Sequence, residues 1–189
     1  AIVLGDSKRA ASIAEAVDVM ARPTESVVVG LLGLPLPDRP AFFDELLLQV
    51  ASLRSRLGRP HWLVLDEAHH LMPPSWKPSS EPHPLGTSLL ITVHPDHVTP
   101  AVLRDVDLFF AVGDRPNETL IAFASGIGRE LRDPPATEEG EVLAWFCQAS
   151  PSPLRMRPER PRGERQRHRR KYAEGTLGPD KSFYFRGAD

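Results

Sequence analysis

The stretch His61-Trp62-Leu63-Val64-Leu65-Asp66-Glu67-Ala68-His69-His70 decides how this chain reads. A short apolar run stops abruptly at two adjacent carboxylates. An apolar run of that length between polar residues reads as a strand. In a parallel sheet the C-terminal ends of the strands face the crevice where such folds bind ligands. Asp66 and Glu67 then stand at that crevice.

The flanking sequence repeats the alternation of strand and helix. Ile2-Val3-Leu4 with Gly5-Asp6 reads as a strand and its exit turn, and Ser12-Ile13-Ala14-Glu15 as a capping box opening a helix that stops before Pro23. The run from Val27 to Leu32 predicts a second strand, buried on both faces as parallel strands are. Asp38 is placed to cap a helix with Pro40 in its first turn. Phe42, Phe43, Leu46, Leu47, Val50, Leu53 and Leu57 follow at helical spacing, and Gly58 ends the helix.

Beyond His70, five prolines between Pro73 and Pro84 mark an exposed excursion. Leu89 to Val93 reads as a strand, Thr99-Pro100 as the start of a short helix, and Leu108 to Val112 as another strand. A helix is expected from about Pro116 to Ser125, and Val142 to Phe146 is a candidate last strand. Such alternation predicts an α/β fold with a mostly parallel sheet flanked by helices. After Ser150 the periodicity vanishes into Pro, Arg and Glu. Residues 1–150 are therefore expected as the α/β domain and 151–189 as a Pro/Arg-rich linker or arm and the start of a following segment.

Composition narrows the class. The chain has 189 residues, 41% of them hydrophobic, enough for one core plus a tail. The net charge of −2 gives no global pull toward nucleic acid or membrane. It conceals an asymmetry: from Arg155 to Lys171 nine basic residues face two acidic ones, a local +7. Cys147 is the lone cysteine, so no internal disulfide forms and a reducing cytoplasm is expected. No apolar run approaches the ~20 residues of a membrane helix.

Taken together, the Gly-Leu-Pro that ends the second strand (Gly33-Leu34-Pro35), the amphipathic helix and the strand ending in Asp66-Glu67-Ala68-His69 resemble the HerA/FtsK branch of P-loop ATPases. Ile91-Thr92-Val93-His94-Pro95-Asp96-His97 is similar to that branch's next strand and turn, and Leu108 to Gly113 to the strand after it. The resemblance covers about Ala1 to Gly128. It implies a RecA-like sheet, ATP with Mg2+, and often a ring-shaped homo-oligomer. Asp66-Glu67 is then the Walker B pair, Asp66 the metal-linked carboxylate and Glu67 the catalytic one that polarises the attacking water. His69 and His94 would sit by the nucleotide, and Arg115 is the best placed arginine finger, ahead of Arg104 and Arg129.

Two departures stand out. The chain contains no Gly-x-x-x-x-Gly-Lys-Ser/Thr, so it reads as an ATPase cut before its first strand and phosphate loop, with that half expected upstream. Val93-His94-Pro95 replaces the branch's usual Gln-Arg-Pro, and a Val cannot sense phosphate by hydrogen bonding. The far tail, Arg169 to Gly175 and Asp180 to Gly187, resembles the region after the ATPase in bacterial proteins that join a haloacid-dehalogenase-type phosphatase to a HerA-like ATPase, which implies a fused hydrolase partner. No Asp-x-Asp nucleophile motif of that phosphatase occurs here.

Other readings stay open beside these. Asp66-Glu67-Ala68-His69 spells the DEAH-box helicase motif, but no Ser-Ala-Thr follows it. His61, His69, His70, His94 and His97 invite a metal, although zinc sites usually use three or four spaced ligands. The basic run could neutralise nucleic-acid phosphates, yet no interleaved aromatic offers stacking, so a solvated linker is favoured. It could also neutralise the acidic domain. Trp62 is expected against a helix, and Trp76 either as a partner contact or pinning its own loop. Function divides between an ATPase and a nucleotide-sensing domain that gates a fused phosphatase.

Overall fold

The computed structural model describes residues 1–79, 85–131 and 134–159. Most of the basic run and the tail motifs near Lys171 and Phe183 lie outside them, as does the end of the proline-rich excursion.

The described residues form seven strands and four α-helices: β1 (Ile2–Leu4), α1 (Ile13–Ala21), β2 (Val27–Val29), α2 (Arg39–Leu57), β3 (Leu63–Leu65), β4 (Ser88–Leu90), α3 (Pro100–Leu103), β5 (Leu108–Ala111), α4 (Pro116–Gly126), β6 (Val142–Phe146) and β7 (Leu154–Met156). β1 pairs β2 in parallel and β3 pairs β4 in parallel, whereas β5, β6 and β7 form an antiparallel sheet. The fold is α/β, but the pairing gives three small sheets in place of one mostly parallel sheet. The short turn at residues 147–153 dictates part of this, because a parallel return needs a crossover of about a dozen residues or more. β7 lies beyond Ser150, where no element was expected.

Local chemistry explains the helices. Glu15 Oε2 accepts the Ser12 N–H at 3.2 Å, tying back the start of α1. Asp38 does not cap α2. A 3-10 turn, Leu36–Asp38, runs straight into the helix, so Asp38 has helical dihedrals and no side-chain capping bond. Gly58 ends α2 in the left-handed conformation, its N–H donating to the Arg54 carbonyl at 2.8 Å.

The core gathers Phe43 and Leu47 of α2, Leu65 of β3, Met72, Val102 and Leu103 around α3, Leu120 and Phe123 of α4, and Leu143 and Trp145 of β6. Phe123 stacks on Phe109 at 4.0 Å between centroids and meets Trp145 edge-on at 6.0 Å. Trp76 is buried, 6.4 Å from Phe43, and pins its own loop.

Alternate side chains on the strands are left exposed. Val3, Val28, Val64, Leu89, Phe110 and Phe146 are exposed while their neighbours along each strand turn inward. β2 is therefore not buried on both faces: Val28 is 52% exposed. Trp62 joins this face at 70% exposure and does not pack on a helix, because the period of two places it with Val64, opposite Leu63 and Leu65. No helix among the described residues is long and apolar enough to cross a membrane.

Candidate nucleotide site at the tips of β3 and β4

The parallel register of β3 and β4 sets Leu65 beside Leu90, so both strands end together. The ladder continues past them. Ile91 N–H donates to the Leu65 carbonyl and Ala68 N–H to the Ile91 carbonyl, each at 2.9 Å. Asp66 and Glu67 lie between those two bonds and bulge outward, both exposed.

The bulge forces Glu67 to φ 52° and ψ 48°, and it is the one non-glycine residue with positive φ among the described residues. Left-handed backbone carrying a side chain costs on the order of 1–3 kcal/mol and clusters at functional sites. Local bonds hold it: Asp66 Oδ1 accepts the Glu67 N–H at 3.1 Å, and the Glu67 carbonyl accepts the His70 N–H at 2.8 Å. The 3-10 turn Ala68–His70 follows, anchored by fully buried Ala68.

His69 fits under this bulge, its side chain only 10% exposed. Its Nδ1 is 2.9 Å from Thr92 Oγ1 and 3.5 Å from Glu67 Oε2. Burial pushes the His69 pKa below its ordinary value, and the neighbouring His70 lowers it further. Glu67 opposes, while His94 and His97 add to the lowering. The ring is thereby kept neutral near pH 7. His94 approaches His69 edge-on at 5.5 Å and stacks on His97 at 4.9 Å, and His70 lies 4.1 Å from His69.

Glu67, His69 and His94 thus come together at one sheet end, adjoining Asp66. Arg115 does not join them through any contact seen here. It precedes α4, where its guanidinium is bonded to Glu118 at 2.9 Å, with both side chains mostly exposed. Arg129 covers the Trp145 ring at 5.5 Å and donates to the Cys147 carbonyl, so its guanidinium packs on the end of β6. Val93 is 70% exposed at the strand tip.

The donor set suits a hydrated divalent cation at Asp66. Mg2+ keeps several waters and takes one or two carboxylates together with substrate phosphates. Among the described residues no three His, Cys, Asp or Glu side chains converge as a metal site, so the histidines do not form one. Sequence reading passed over Thr92, whose signal is a hydroxyl at the end of the apolar run Leu89-Leu90-Ile91.

At the start of the basic run, Arg155 and Arg157 are engaged with acidic residues. Arg157 bonds Glu138 at 2.6 Å and Glu141 at 3.2 Å, and Arg155 lies 3.4 Å from Glu141.

Solved structures match this α/β fold. One is the genome packaging NTPase B204 from Sulfolobus turreted icosahedral virus 2, in complex with AMPPCP. It matches with a TM-score of 0.51 and 16% identity over 80% of this chain and 73% of that one. A likeness at that identity concerns the fold. No protein-family model matches the chain, and no curated protein matches it.

Proposed function

We propose that this chain is the Walker B-bearing part of an ATP-binding and hydrolysing module of the HerA-like kind. The observation that carries the reading is the strained bulge that lifts Glu67 out between two ladder bonds, beside a half-buried His69. A structural strand end has no need of that strain. Asp66 would hold Mg2+ through water, and the ion would supply charge neutralisation on the nucleotide phosphates. Glu67 would take the proton of the attacking water, a role worth about 10²–10⁴-fold in rate. His94 and His69 would border the terminal phosphate.

On this reading the phosphate cradle would be supplied by other polypeptide, since the 189 residues contain no Gly-x-x-x-x-Gly-Lys-Ser/Thr. The bare apolar face of the strands supports such a docking half. Arg115 would reach phosphate only by leaving Glu118, which suits a finger acting on a neighbouring subunit of a homo-oligomer. With Arg155 and Arg157 bound to Glu138 and Glu141, the beginning of the basic run contributes to the domain's own charge balance.

The deciding experiment is Glu67→Gln in the polypeptide that carries the phosphate loop, with MgATP binding and turnover measured side by side. Hydrolysis should fall at least about 100-fold with binding kept. A second reading, a nucleotide sensor that gates a fused phosphatase, draws on the exposed aliphatic Val93 where a hydrogen-bonding sensor would be expected. It predicts bound nucleotide, negligible turnover in both proteins, and unchanged phosphatase output in the variant.

A further inference from the structure

The Thr92 hydroxyl occupies a junction. Its oxygen accepts the His94 N–H at 3.0 Å and lies 2.9 Å from His69 Nδ1. The same Nδ1 lies 3.5 Å from Glu67 Oε2. The Glu67 carboxylate decides which proton pattern suits this junction. A bare Nδ1 lone pair facing a carboxylate oxygen would be repelled, whereas an Nδ1–H shared between Thr92 Oγ1 and Glu67 Oε2 is attracted to both. With burial keeping the ring neutral, Nε2 then carries the lone pair.

We infer that Thr92 is a positioning residue for Glu67, acting through His69: its hydroxyl fixes the ring so that Nδ1–H faces the Glu67 carboxylate. The inference rests on Glu67 being the base proposed above. A base must point within hydrogen-bond reach of its water, and an exposed glutamate has rotamers enough to point elsewhere. The neighbouring bulge fixes the Glu67 backbone but leaves its side chain free. His69, held at one nitrogen by Thr92 just beyond β4, restrains that side chain from below.

The chain of contacts also explains how the tip can dispense with a polar residue at position 93. Alternation sends Val93 to solvent and Thr92 inward. Thr92 also accepts the His94 N–H at the entry to the 3-10 turn Pro95–His97, so a shift of that turn is passed through one oxygen to the His69 ring and on to Glu67. The hydrogen-bonding duty of this strand end thus falls on Thr92, one residue before the position where it was sought.

Two arms test this. In the 189-residue chain, the imidazole ¹⁵N shifts of His69 should report the Nδ1–H tautomer, and Thr92→Val, which deletes the hydroxyl at nearly constant shape, should convert it to a mixture. An Nε2–H tautomer in the unaltered chain overturns the inference. In the polypeptide that carries the phosphate loop, with MgATP as the probe, Thr92→Val should lower kcat about 10- to 100-fold at unchanged KM and nucleotide affinity. Thr92→Ser should restore it to within about twofold.

His69→Phe, which keeps a ring and removes Nδ1–H, should show the same loss. The double variant should lose no more than either single one, since both cut one chain of contacts. Additive losses, or a Thr92→Val enzyme with full kcat, overturn the inference. Should Glu67→Gln itself leave turnover intact, the base assignment fails, and the ¹⁵N arm still decides whether Thr92 sets the His69 ring.

Discussion

Glu67 has a backbone conformation that suits glycine, and the chain nevertheless keeps a carboxylate there. Glu67→Gly should therefore stabilise the fold by about 1 kcal/mol while removing the base. Urea denaturation of the two chains checks the first half, and a decrease in stability would mean that the local bonds, and not the strain, dominate. His69 adds a pH dependence. Its folded pKa is lowered, chiefly by burial, so the unfolded chain takes up the proton first as pH falls. Stability should be flat above about pH 6.5, the unfolded value, and decline below it. Melting curves of the parent and His69→Phe between pH 5 and 8 should converge toward the acid end. At this scale the Asp66-Glu67 pair was legible, because an apolar run ending in two acids is a local pattern. The Thr92 link was not. It depends on the register of β3 against β4, which brings together residues 23 positions apart.

The close approach of the strand exits after β1 and β2 sets the tolerance of individual elements. A Cβ on Gly5 would stand 2.4 Å from the Gly30 carbonyl oxygen and 2.9 Å from the Ala11 nitrogen, at φ 79°. At Gly58 the φ is 62° with nothing near the new atom. Gly58→Ala should cost about 1 kcal/mol for the left-handed backbone alone. Gly5→Ala should cost clearly more, since backbone must shift as well. Parallel denaturant titrations would rank them, and equal costs would contradict the packing between the two exits. The helices were readable from spacing and from glycine and proline punctuation. The direction of β5 was not, because Leu108 to Val112 looks the same in either orientation, and only its partner β6 makes it antiparallel. Asp38 misled for a related reason: a capping residue type was read as a cap, but the preceding 3-10 turn left no extended residue to do the capping.

Among the described residues, β1 to β5 turn one set of side chains inward and leave the alternate set exposed. The six bare side chains Val3, Val28, Val64, Leu89, Phe110 and Phe146 exceed what scattered surface apolars need explain. The 189-residue chain should self-associate and bind a hydrophobic dye. Val64→Lys with Phe110→Lys should reduce both at nearly unchanged melting temperature, as read by light scattering and dye fluorescence. Retained association would place the contact elsewhere. The α/β class was legible from alternating periodicities. The open face was not, since an apolar run tells that a strand is suited to burial and not which side is covered.

That open face also has a genetic signature. Selection acting on this chain by itself would let charges enter at Val3, Val28, Val64 and Leu89, for nothing in the described residues covers them. Selection acting on a complete assembly would not. Two saturation-mutagenesis maps, one scored for folding of the chain and one for cellular function, should agree across the buried core and part company at those positions. The set of residues where they disagree would trace the footprint of whatever rests on the sheet, without that neighbour having been isolated.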